Sequence, residues 1–264
     1  MHGSLLIGPG DPPPFSIYNA RGKARVLLVV DHASNAIPPA FGQLGLEPAL
    51  LGKHIAWDLG SANLARALSD LLDAPLILSG YSRLLIDPNR RLHDETAVPL
   101  SSDGITIPGN QGLSVAQREQ RIEAFYRPYH AAIAARLDEF AAAGICPAFV
   151  SLHTCTPVMG GFVRPWHIGV MWDKDPRIAH PMLTALARIE GICVGDNQPY
   201  SGAHPHDYTI DFHAEARGLA HVGIEVRQDL LQGAEDARHW ASILATGLAG
   251  PLADPGTYRL LDSA

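Results

Sequence analysis

The segment Arg25–Asp31, RVLLVVD, is an unbroken apolar run with a charge at each end. A strand reads this way when both of its faces are buried, because a strand with one wet face would alternate. Similar short runs recur at Ala74–Ser79, Ile145–Leu152, Ile168–Trp172, Ile192–Val194 and His221–Val226. Between them the apolar spacing turns helical, over about 59–72, 114–143, 176–190 and 233–248. The stretch from Ser114 opens with a Ser-x-x-Gln capping signal. Asp58 stands where a side chain could cap the helix of 59–72. Strands alternating with helices predict an α/β chain: a three-layer α/β/α fold around a largely parallel, mixed central sheet. Residues 1–24, rich in Gly and Pro, read as an irregular lead-in, and Tyr81 to Pro108 reads as a polar loop. No repeat or composition break divides the 264 residues, so one domain over 1–264 is expected.

Charge and cysteine content narrow the partners. A formal net charge of −7 with no basic stripe argues against nucleic acid. The three cysteines, Cys146, Cys155 and Cys193, have no C-x-x-C spacing and suggest a reducing compartment. No apolar stretch approaches the ~20 residues that span a bilayer. The short run Leu5–Ile7 before Pro12, Pro13 and Pro14 does not make a signal peptide. A soluble cytoplasmic protein with no membrane partner is the expectation. Oligomeric state is not legible.

Three of the apolar strands lead into or carry polar groups: His32, His153 and Glu225. Ligands of open α/β sheets lie at the carboxyl ends of the strands, so these groups can converge. Two histidines and a carboxylate form a common catalytic zinc set with a position left for water. The bland alternative is hydrogen-bonded strand-end histidines, since the chain has thirteen histidines. Ser82–Arg90 adds Arg83, Asn89 and Arg90, a forked pair of guanidiniums and an amide suited to a carboxylate. The alternative there is a solvated surface loop. Glu225 lies in the apolar run Val222–Val226, where an unpaired carboxylate is costly. Its partner is either chemistry at a metal or Arg227, two residues on. Cys155 has no evident activating partner and reads as a small buried cysteine. His54 is read as a partner of Asp58 or as part of the helix approach. His204, His206 and His213 are read as residues lining an entrance, and Arg164 and Arg227 as extensions of an anion pocket or structural pairs.

Several blocks in order resemble the N-formylglutamate amidohydrolase family: VVDHASNAIP at 29–38, HIAWDLGSANLA at 54–65, YSRLLIDPNR at 81–90, SLHT at 151–154 and IEVRQD at 224–229. The resemblance implies a zinc-peptidase-like fold, one zinc ion and hydrolysis of a small anionic N-acyl amino acid. A more distant similarity to zinc carboxypeptidases implies the roles. By it DPNR at 87–90 would hold a terminal carboxylate through Asn89 and Arg90, and SLHT would carry a metal-ligating histidine. YSG at 200–202 with DY at 207–208 would supply Tyr200 to the substrate, with Arg164 near it. Glu225 would be the acid–base catalyst. Apart from the resemblance, Arg83 is expected near the scissile carbonyl, where its charge would steady the oxyanion. One departure stands out: the His-x-x-Glu of those enzymes is His32-Ala33-Ser34-Asn35 here. The metal set is therefore His32, His153 and either Asp58 or Asn35, a neutral amide being the poorer ligand. The missing glutamate also leaves room for a second reading, a binding protein that keeps the pocket without catalysis.

Overall fold

The computed structural model describes residues 6–203 and 208–261. Seven strands form one sheet: β1 (Phe15–Tyr18), β2 (Val26–Val30), β3 (Leu76–Ser79), β4 (Ala148–Cys155), β5 (Ile168–Met171), β6 (Val194–Asp196) and β7 (His221–Arg227). Their order is β1-β3-β2-β4-β7-β5-β6. The pairs β3/β2, β2/β4, β4/β7 and β5/β6 are parallel. The edge strand β1 runs antiparallel to β3, and β5 antiparallel to β7. All residues of β2, β3, β4 and β5 are buried, the apolar runs of β2 and β5 throughout and the polar Ser79, Ser151, His153 and Thr154 with them.

Alternation within each strand divides the core in two. Leu28, Val150 and Ile224 face a layer built from α1 (Ser61–Leu72), α4 (Pro176–Leu186) and α6 (Ala234–Ala253), through Leu64, Met182 and Leu244. Leu27, Ile77 and Phe149 face the other way, against Tyr129, Ile133 and Leu137 of α3 (Arg127–Ala142) and Ile210 of α5 (Tyr208–His213). The sheet is thus covered on both faces, a three-layer α/β arrangement.

Three details depart from the sequence reading. The lead-in contains β1, whose residues are at most half-buried, so it shows no apolar run. Asp58 does not cap α1: Gly60, in the left-handed region at φ 81°, takes the N-cap position without a side-chain bond. Asp58 turns its carboxylate elsewhere. The stretch 81–108 is short of regular structure, yet it is not a solvated loop. Leu84, Leu85, Val98 and Ile107 are buried in a cluster of their own with Ile122, Phe125 and Tyr126.

That cluster is pinned from one helical stretch. Ser114 and Gln117 form the capping box of α2 (Val115–Arg121). A π-helical turn, Ile122–Tyr126, then joins α2 to α3. Buried Arg121 donates to the carbonyls of Leu85 and Gly109 and to Asn110 Oδ1, while Tyr126 donates to the Arg90 carbonyl at 3.0 Å. Charge-assisted bonds of this kind are each worth about 1.5–3 kcal/mol. They fix the backbone on which Arg83, Asn89 and Arg90 stand.

Candidate active site

His32 follows β2 directly. His153 and Glu225 are register partners on the adjacent parallel strands β4 and β7. Because side chains alternate along a strand, Ser151 and His153 share a face with Glu225. Asp58 is brought alongside by its own backbone, whose N–H donates to the His32 carbonyl at 3.0 Å. His32, Asp58 and His153 each contribute one ligand-type atom, all within 4.8 Å of one another. The two imidazole centroids are 5.2 Å apart.

The orientation of the rings is set from outside. Asp58 Oδ2 lies 3.3 Å from His32 Nδ1 and 3.0 Å from His153 Nδ1. The far nitrogens face other carboxylates: His32 Nε2 is 2.8 Å from Asp87 Oδ1, and His153 Nε2 is 3.4 Å from Asp31 Oδ2 and 3.1 Å from Ser151 Oγ. A carboxylate on the far nitrogen fixes the tautomer and leaves the near nitrogen as a lone pair. Asp58 Oδ2 and the two Nδ1 atoms thus aim at one point, where protons on the rings or a bound cation would relieve the repulsion.

The electrostatics say the same. Asp31, Asp58, Asp87 and Glu225 are all buried at this centre. Arg83 bonds Asp87 at 2.6 Å and lies 3.7 Å from Asp58. Burial alone would raise Asp58, but the His32 and His153 rings beside it hold its carboxyl far below the usual range. Burial alone would lower both imidazoles, yet the neighbouring carboxylates raise His32 and raise His153 well above an ordinary histidine. The pocket thus favours positive charge between its carboxylates. A divalent ion with borderline-soft nitrogen and oxygen donors, such as zinc, fits this donor set.

Glu225 is the exception among the four. Its Oε2 is buried with no hydrogen-bond partner among the described residues, and burial pushes its pKa up to about 8. Arg227 is not its mate: that guanidinium bonds Asp229 Oδ1 and the Arg164 carbonyl. The centre forms the floor of a cavity of about 550 Å³. Arg83, Asn89, Arg90 and Tyr200 line it together with His32, Asp58, His153 and Glu225.

The remaining candidates sort by contact. Asn35 donates its amide to the Leu51 carbonyl at 2.9 Å and so serves the loop. Arg164 is buried, and commits its donors to Thr156 and to the Tyr200 hydroxyl at 2.9 Å, so it meets the cavity through Tyr200. His54 lies 3.4 Å from Asp103 at the cavity wall, and is not bonded to Asp58. Burial, with Glu225 nearby, pushes the Cys155 thiol up to about 12, which leaves little thiolate for a nucleophile. His213 does not line an entrance: it is fully buried and its Nε2 lies 2.9 Å from Nδ1 of His130. His204, His206 and Asp207 lie outside the described residues.

The sequence reading missed Asp31 and Asp87 as supports of the two rings. Asp87 sat inside the quoted DPNR block, and Asp31 directly precedes His32. Each was visible, but only the fold shows which nitrogen it meets.

A model of the N-formylglutamate amidohydrolase family matches residues 24–232. The chain belongs to that family. It is accordingly an amidohydrolase, and all of the site residues named above fall within the matched span. A gene product of Agrobacterium tumefaciens has a similar crystal structure, with 34% identity, a TM-score of 0.91, and coverage of 94% of this chain and 98% of that one. An N-formylglutamate amidohydrolase from Ralstonia eutropha shares the fold at 22% identity and a TM-score of 0.64, over 91% of this chain and 96% of the other. No curated protein matches the chain. Among the described residues, no helix is long and apolar enough to cross a membrane.

Proposed function

We propose that this amidohydrolase is zinc-dependent and cleaves the amide of an N-acyl amino acid such as N-formylglutamate, releasing the acid and the free amino acid. The observation that carries the reading is the pairing of the His32–Asp58–His153 cluster with buried Glu225, whose Oε2 has no hydrogen-bond partner among the described residues. His32 and His153 through Nδ1, and Asp58 through its carboxylate, would hold one zinc ion. When bound, that ion supplies Lewis-acid polarisation of the scissile carbonyl and a more acidic water.

The chain's own residues supply the rest. Glu225 removes a proton from the attacking water and returns it to the departing amine. A pKa near neutrality suits a group that does both. Arg83, held by Asp87, presents positive charge beside His32 and stabilises the oxyanion as it develops. Asn89 Oδ1 accepts from the Thr209 N–H at 3.0 Å, which leaves the Nδ2 amide hydrogens for a substrate carboxylate. Arg90 adds a charged fork next to it, and Tyr200, steadied by Arg164, closes another wall. The three free cysteines and the acidic net charge support a cytoplasmic place with a small-molecule partner.

Kinetics of two variants test the assignment of the arginines. Arg90→Lys keeps the charge but loses the planar fork, so KM for N-formylglutamate should rise with kcat nearly unchanged. Arg83→Ala should instead lower kcat, by the roughly 10²–10³-fold typical of one lost oxyanion donor. Wild-type constants in both variants would remove these arginines from the substrate site.

A further inference from the structure

The two halves of the site, the histidine cluster and the carboxylate-binding segment, stand on different elements. β4 carries His153, whereas Asn89 lies in the irregular segment after β3. Asp87 bridges them at His32 and the Asn89 backbone, and a second buried residue, Thr209 in α5, touches the supports of His153 and Asn89. Its hydroxyl donates to Asp31 Oδ1 at 2.8 Å, and its backbone N–H donates to Asn89 Oδ1 at 3.0 Å. The other oxygen of Asp31 is the one 3.4 Å from His153 Nε2.

The chemistry at each end is directional. Asp31 Oδ1 takes two hydroxyl donors, Thr209 at 2.8 Å and Tyr129 at 2.9 Å. With Oδ1 held twice, the plane of the carboxylate is set and Oδ2 is turned to His153 and, at 3.5 Å, to Ser151. At the other end a backbone N–H can meet only an acceptor, so the Asn89 amide cannot flip without leaving a buried donor facing a donor. Further bonds anchor α5 and its surroundings to the same segment: Arg91 meets Asp211 at 3.1 Å. His213 pairs with His130, whose other nitrogen bonds the Pro88 carbonyl at 2.9 Å.

We infer that Thr209 is a positioning residue that fixes the tautomer and angle of His153 through Asp31 and the amide orientation of Asn89 through its own backbone. The inference rests on the zinc reading above, and its two arms separate by atom. Thr209→Val keeps the shape and the N–H but removes the hydroxyl. It therefore loosens the histidine side alone, while Asn89 stays as it is.

The test is zinc affinity of the purified chain, by competition with a chelating dye, for wild type, Thr209→Val, Thr209→Ala and Thr209→Ser. Loss of a direct partner of a metal-ligating histidine costs roughly 10–100-fold in affinity, and Thr209 acts one bond further out with Tyr129 still on Asp31, so about 10-fold is expected. Valine and alanine should each show that loss, serine should restore it, and KM for N-formylglutamate should stay near wild type in all three. Alanine serves if valine does not fold. Wild-type affinity in a folded valine or alanine variant, or a loss that serine does not restore, overturns the role of Thr209. A wild-type chain that binds no zinc overturns the metal reading, and this inference with it.

Discussion

Glu225→Gln should leave zinc content and KM close to wild type while turnover falls by ~10²–10⁴, the range of a lost general acid–base. The substitution keeps the shape of a residue that is 6% exposed and packed into β7. It removes the basicity, while Oε2 has no hydrogen bond to lose among the described residues. If Glu225 were a structural carboxylate, the fold would suffer and kcat would not. A strand interior is a costly place for an ionised group without a partner. Near-normal turnover in the glutamine variant would remove Glu225 from the chemistry.

The second large effect concerns Asp58. Its Oδ2 is the point on which both Nδ1 atoms converge, and the Thr154 N–H approaches it as well, at 3.4 Å. Asp58→Ala should abolish stoichiometric zinc after dialysis, a greater loss than the roughly 10–100-fold expected for a supporting residue. Hydrolysis should fall with it. Asn35→Ala is the matched control, since that amide bonds the Leu51 carbonyl outside the cluster. It should retain zinc. The opposite pattern, zinc lost from the Asn35 variant and kept by the Asp58 variant, would exchange their roles. Metal analysis of the two dialysed proteins side by side decides it.

How much of this was legible in the sequence follows from the physics of each residue. Strands such as Val26–Val30 and Ile168–Met171 announce themselves because burial on both faces demands unbroken apolar runs. The edge strand Phe15–Tyr18 does not, since half of its surface stays wet. The segment 81–108 reads as a polar loop because arginines and prolines dominate it. Its core comes from tertiary packing against Ile122–Tyr126, which local pattern does not encode. The convergence of His32, His153 and Glu225 was legible because strand ends in α/β sheets gather polar groups. Asp58 stayed open against Asn35, because its backbone bond to His32 bridges 26 positions. Asp31, Asp87 and Thr209 act on other side chains and never on the cavity directly. Only three-dimensional distance reveals that kind of work.

The most direct test couples two readings on one preparation of the purified protein: zinc per chain, and formate released from N-formylglutamate. The expected result is about one zinc per chain, as one three-donor cluster implies, with formate and glutamate formed in equal amounts. Chelation should abolish release and added zinc should restore it. A folded chain that binds N-formylglutamate but holds no metal and releases no formate would contradict the zinc hydrolase, and would leave a carboxylate-binding protein in its place.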